Sequence, residues 1–578
     1  MNDLHLLNWY LVVKKRRSFA QIRICGVVCL LILLVTACSG GATDNNQTAQ
    51  PIATATSGQI QVQVQKLPVN VLTNRYNNLR SGENLNENIL NPSVVNVEQF
   101  GKLFSRSVVG DIYAQPLYVE NIEMADGQKH NIVYVATMHN MVYAFDADDP
   151  AQSDPLWAVD LGTPFTQNIF FDIPGGEDGI LSTPVIDLAT KTMYLVARTA
   201  ENEKAVYKFH ALDIVSGAER DNSPTVIELS YPGTGLNSVN GIVTLDADNQ
   251  LQRTGMLLYE GKVIFGFGSN NDRGDWFGWV VAYDATTLQQ TAVFNTTPNG
   301  YQGGIWMAGS GVVTDGDYLY LVVANGLNTL ADGGVDYGMS ILKMTLEEKA
   351  FKIIDYYVPS NYDELNKADS GLGSTGLVFI PNTDYMVAGG KDGKLYVVDR
   401  TKLGGYNPSA DASLQVVTLG PSEVYMTPVI WDSGPDGKQT VYAWDSLDTL
   451  KAFSVSTATR GIVPQPVSES TLKAVGRPIG GMTISANGTD QSSGILWATF
   501  APEADKNTDG RGALLAFDAT NLKKLLWYSD QHGERDALGT LSKFAPPTVA
   551  NGKVYVPTFS DQLVVYGMLD TASSEGSG

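Results

Sequence analysis

Along most of the chain, short apolar runs are separated by Gly, Asp, Asn or Pro, and their period is two rather than 3.6. VYVATMHNMVYAFD (133–146), MVAGGKDGKLYVVD (386–399) and VYVPTFSDQLVVYG (554–567) each read as two strands joined by a tight turn, and most such segments close on an Asp. Eight hairpins of this kind occur, the others at 193–213, 263–284, 318–344, 441–454 and 495–518. Another short apolar segment precedes each one, often opened by proline: AQPLYV at 114, STPVID at 182, MTPVIW at 426 and APPTVA at 545, with less regular versions near 256, 308, 375 and 481. A fourth strand is expected after the closing Asp, as in PLWAVDL after Asp146 and KLLWYSD after Asp518. Pro116 and Pro547 are seven intervals apart, a mean period of about 62 residues.

Eight four-stranded units in one order predict an all-β fold, an eight-bladed β-propeller of four-stranded antiparallel blades. Tandem β-sandwiches are the rival, but they do not repeat one strand order eight times. A propeller ring must also close. The last unit stops at Gly567 without an outer strand, and residues 100–108 (FGKLFSRSV) precede the first complete unit, so this N-terminal strand is expected to complete the eighth blade.

Composition narrows the class. The 578 residues are 43% hydrophobic and 17% charged, with a net charge of −22, which excludes a disordered chain and makes nucleic acid an unsuitable partner. All three cysteines, Cys25, Cys29 and Cys38, precede the repeats, so the body holds no disulfide, zinc cluster or Cys nucleophile. Basic residues 14–17, the apolar run 24–35 and then Thr36-Ala37-Cys38 read as a secretory leader. The resulting division is a signal peptide (1–37), a flexible tether poor in bulky apolar residues (38–65), the propeller (66–568) and a short disordered tail (569–578).

Two resemblances follow from these motifs. LVTAC resembles the bacterial lipobox, which implies lipidation of Cys38, a membrane partner and an extracytoplasmic, lipid-anchored protein of the cell envelope. The repeat itself, with Asp146 and Trp157 or Asp518 and Trp527 as its docking pairs, resembles the pyrroloquinoline quinone (PQQ) repeat of quinoprotein alcohol dehydrogenases. That resemblance covers most of 70–567 and implies site residues. Trp306 matches a Trp beneath the quinone ring, Asn325 a calcium ligand, Asp369 the catalytic carboxylate and Lys391 a cation at the quinone oxygens. The alternatives are ordinary: an inner-strand packing residue, a turn Asn before Gly326, a solvated loop Asp and a surface Lys.

The departures from that family are equally specific. Where the dehydrogenases carry a Glu calcium ligand, this chain has Arg273, which would oppose a cation and serve an anionic cofactor instead. The vicinal cysteine pair and the CxxCH haem motif of many such enzymes are absent from the body. Asp505, Asn507 and Asp509 have the spacing of a calcium loop with Gly510 at position 6, but no Glu stands at position 12. The reading is a ligand-binding or scaffolding propeller for an unknown protein or small molecule, with PQQ and Ca²⁺ as candidate cofactors. The alternative is a PQQ-dependent dehydrogenase oxidising an alcohol or sugar.

Overall fold

The computed structural model describes residues 68–167, 174–434, 437–476, 479–503 and 510–570; Cys38 and residues 505–509 lie outside them. Eight antiparallel sheets of four or more strands surround a central channel. Numbered in chain order, the blades begin with first strands Leu117–Glu123, Val185–Asp187, Leu257–Tyr259, Val313–Thr314, Val378–Phe379, Val429–Gly434, Ile479–Ser485 and Thr548–Ala550. The irregular segments near 256, 308, 375 and 481 therefore precede or begin first strands, as their place in the repeat predicts. Ring closure also follows the expected route: Phe100–Ser107 pairs antiparallel with Gln562–Met568 as the outer strand of blade 8.

The recurring residues have local reasons. The Asp ending the third strand turns its carboxylate onto the backbone N–H groups that follow, as at Asp146, Asp213, Asp284 and Asp518, and so fixes the turn into the fourth strand. The Trp of that fourth strand ties adjacent blades together. Trp157 donates from Nε1 to the Ile214 carbonyl of blade 2 at 3.1 Å, and its ring lies so close to Gly217 that a Cβ there would come within 2.7 Å. Trp527 packs edge-on against Phe100, with ring centres 5.0 Å apart, and against Tyr566, both in blade 8. Both faces of each blade meet a neighbour, so strands such as Leu319–Val323 are buried at every position.

One element has no counterpart in the repeat. Residues 69–90 enter the channel and meet every blade at or beside its first strand. Val71 pairs with Tyr118 of blade 1, and the carbonyls of Leu72, Asn78, Leu79, Ser81 and Gly82 accept from the N–H groups of Ile186, Thr314, Phe379, Ile430 and Ile484. Thr73 donates to the Met256 carbonyl before blade 3, and the Tyr76 hydroxyl accepts from Val549 N–H of blade 8. This strap pairs backbone groups that the inner edges of the blades would otherwise leave open.

Two arginines hold the strap. Arg80, fully buried, donates to the carbonyls of Asn74, Met256 and Val312 and to Thr73 Oγ1. Arg75 donates to the carbonyls of Arg80 and Pro428. Burial pushes both guanidinium groups down to about 9, and for Arg75 the adjacent charge of Arg80 adds to the effect. Arg75, Tyr76 and Arg80 all have positive φ, a conformation that L residues adopt only when their surroundings impose it. Glu87 satisfies the far end by accepting from Ile89, Leu90 and Gly552 N–H.

Two outcomes test this account. A protein beginning at Lys66 should unfold in urea like the full chain, whereas one beginning at Asn91 should lose more than about 5 kcal/mol through unpaired first-strand amides. Equal stability would contradict the role of the strap. The second concerns Glu83, whose carboxyl burial raises from 4.5 to about 7 while it accepts from Asp432 N–H. The folded state then holds the proton more tightly, so stability should fall as pH rises from about 4.5 through about 7 and level off above. Glu83→Gln, which keeps the acceptor oxygen, should remove that part of the slope in urea unfolding at pH 5 and pH 8.

Candidate functional site

The connections from one blade's fourth strand to the next blade's first strand, together with the second-to-third-strand turns, converge at one end of the channel. There they line an open cavity of about 360 Å³ at blades 3 to 5. This is large enough for a small organic ligand. Trp276, Trp306, Tyr425 and Phe544 supply aromatic surface, and Arg253, Asp272, Asp369 and Lys391 supply charge.

Trp306, Asn325, Asp369 and Lys391, four residues singled out by sequence, all line this cavity. Trp306 donates from Nε1 to the Ser269 carbonyl at 3.3 Å and meets Trp276 edge-on, with ring centres 5.4 Å apart. It can lie there because Gly268 and Gly304 carry no Cβ; one at either would stand 2.7 Å from the indole. Asn325 is tied to the short helix Tyr362–Lys367: its amide donates to the Asn366 carbonyl at 3.3 Å, while Asn366 Oδ1 accepts from Gly326 N–H. The helix is pinned in turn by Tyr362, whose hydroxyl donates to the Gly326 carbonyl at 2.7 Å.

Asp369 and Lys391 form a pair. Both carboxylate oxygens of Asp369 accept from Lys391 Nζ, at 2.8 and 2.9 Å, although the Asp369 side chain is 70% exposed. In this geometry the carboxylate is an ion-pair acceptor, and its open setting limits the pair to about 1 kcal/mol. Arg273 is exposed and is not among the lining residues; its neighbour Asp272 lines the cavity and accepts from Ser269 Oγ. Asp505, Asn507 and Asp509 fall outside the described residues. Among the described residues, no three His, Cys, Asp or Glu side chains gather closely enough to hold a metal ion.

Sequence reasoning missed Arg253, Tyr425 and Phe544, which form the inner end of the cavity. A signal for them existed in the repeat phase. Tyr113, Arg253, Tyr425 and Phe544 each stand four residues before a first strand, those beginning at Leu117, Leu257, Val429 and Thr548. That offset marks residues at the channel axis, and these four contact one another there. Arg253 lies over the Phe544 ring at 4.7 Å and reaches the Tyr113 hydroxyl at 3.4 Å, and Phe544 packs against both tyrosines.

The residues present can be tested against the two cofactors that the family resemblance implies. A planar anion fits the aromatic walls and the two cations. A calcium ion does not fit, because both oxygens of the cavity's Asp369 are already engaged by Lys391 and, among the described residues, no further His, Cys, Asp or Glu side chains gather with it to complete a site.

No family model matches the chain, and no curated protein matches it in sequence. Solved structures do match. A europium-containing methanol dehydrogenase is 12% identical over 86% of this chain and 98% of its own, with a TM-score of 0.53. The quinohemoprotein alcohol dehydrogenase of Comamonas testosteroni is 14% identical over 88% of this chain and 82% of its own, at 0.52. Quinohemoprotein alcohol dehydrogenase ADHIIG of Pseudomonas putida HK5 is likewise 14% identical, over 88% and 81%, at 0.52. At these identities the likeness is one of fold: this chain is built like the propellers of quinoprotein alcohol and methanol dehydrogenases.

Proposed function

We propose that this protein is an extracytoplasmic, lipid-anchored propeller that binds a planar, anionic small molecule at the mouth of its channel. The observation that carries the reading is the meeting of Trp306, Trp276, Lys391 and Arg253 around one open cavity. Indole surface suits a flat conjugated ring, and cations are needed to draw an anion to a chain of net charge −22. The leader pattern ending at Cys38 supports the anchor and the compartment. PQQ, a flat tricarboxylate, is the natural test ligand given the shared fold.

A dehydrogenase is the second reading, favoured by the presence of Asp369 in the same cavity. Against it stands the Lys391 ammonium, which donates to both Asp369 oxygens and so occupies the atoms a general base would offer to substrate. Binding without turnover is therefore the preferred function.

Titration calorimetry should detect PQQ binding that persists in excess EDTA. Trp306→Ala should weaken it by about 1 to 3 kcal/mol through the lost ring contact. Lys391→Ala should weaken it by about as much, because it removes one cation and leaves the Asp369 charge unopposed in the cavity. Dye-linked alcohol oxidation should be absent or feeble. Strong calcium-dependent turnover abolished by Asp369→Asn would establish the enzyme instead.

A further inference from the structure

Arg253 is out of keeping with its surroundings. Its side chain is buried, with the residue only 6% exposed, yet no carboxylate pairs with it among the described residues. Its Nε has no hydrogen-bond partner, and its one hydrogen bond, from Nη1 to the Tyr113 hydroxyl, is long at 3.4 Å. The remaining support is the Phe544 ring beneath it. A buried guanidinium ordinarily has its five donors met by carboxylates or carbonyls, because an unmatched buried charge is strongly destabilising. The strap shows the usual solution within this same molecule, since Arg80 gives four hydrogen bonds to neighbouring acceptors.

The setting of Arg253 explains what it lacks. It lines the open cavity together with Tyr425 and Phe544. Behind those two rings only a gap of about 10 Å³ remains before Asn74 and Arg75 of the strap, room for about one water. Lys543 Nζ lies 5.0 Å from the centre of the same Phe544 ring. The inner end of the cavity is thus closed, aromatic and cationic, whereas the carboxylate of Asp369 sits in its exposed part.

We infer that Arg253 is the anchor for a carboxylate group of the ligand, and that the cavity takes an aromatic carboxylate with its charged end innermost. This rests on the cavity reading proposed above and deepens it by naming the group that is recognised and the residue that recognises it. A carboxylate offers two oxygens to the unmatched donors of the fork in a dry setting, where such a charge-assisted pair is strongest. The ring to which it is attached then lies among Trp276, Trp306 and Tyr425. Unlike Trp306 and Lys391, which any flat or anionic molecule could use from outside, Arg253 discriminates between a carboxylate and its neutral isostere.

The test uses 2-naphthoate and its uncharged isostere 2-naphthamide, titrated into the purified full chain by calorimetry. Wild type should bind 2-naphthoate at least tenfold more tightly than 2-naphthamide. Arg253→Met should remove that preference by lowering 2-naphthoate affinity at least tenfold, and Arg253→Lys should retain part of it. Because an unpaired buried charge burdens the empty protein, Arg253→Met should also raise the melting temperature, which loss of a structural residue would not do. Equal affinity of wild type for the two probes, or an unchanged preference in Arg253→Met, would overturn the anchor. If PQQ still binds Arg253→Met as it binds wild type, the anchor fails and the cavity reading stands; if wild type binds neither probe nor PQQ, both fall.

Discussion

The inner edges of eight blades face a single channel, and each presents backbone donors and acceptors that need partners. The strap of residues 69–90 meets this requirement for all eight with one irregular stretch of chain. Its carbonyls take first-strand N–H groups, and its two buried arginines take the carbonyls of Met256, Val312 and Pro428. These acceptors are neutral carbonyls, and the strap's own buried carboxylates, Glu83 and Glu87, accept from backbone N–H groups instead. The strap thus buries two guanidinium groups, Arg75 and Arg80, among the first strands. On its inner side the cavity is bounded by Tyr425 and Phe544, behind which lie Asn74 and Arg75 of the strap.

That arrangement also reconciles an acidic protein with an anion-binding reading. The overall charge of −22 belongs largely to surface Asp and Glu, some of which cap turns, as the exposed Asp411 and Asp490 do. Arg75, Arg80, Arg253 and Lys543 are buried around the channel. Charges enclosed by protein act over a lower dielectric than the screened surface, so they set the local field. In the proposed reading, an anion repelled at long range is drawn in by the cations that line the cavity, Arg253 and Lys391.

The blades were legible in the sequence because each needs apolar runs buried on both faces, and several add an Asp that caps the turn after the third strand, with a Trp in the fourth strand of blades 1 and 7. Trp306, Asn325, Asp369 and Lys391 were singled out by the resemblance to the PQQ repeat rather than by local pattern, and they line one cavity. Arg253 was passed over although it holds the same place in its repeat as Tyr113, Tyr425 and Phe544, four residues before a first strand. Comparison with a family directed attention to Arg273 instead, which is exposed. The strap carries no periodic signal at all: its partners are scattered over eight blades, and Arg75, Tyr76 and Arg80 sit in a backbone conformation that no local pattern announces. Long-range hydrogen bonding shaped it, and a single chain read in order contains no trace of that.

The most direct measurement is a crystal structure of the full chain soaked with 4-bromobenzoate, with the bromine located by its anomalous signal. The account predicts a bromine peak in the cavity beside Trp306, with the carboxylate on the Arg253 guanidinium and no metal ion between them. A peak confined to the outer surface, or a carboxylate bound through a cation at Asp369, would contradict it.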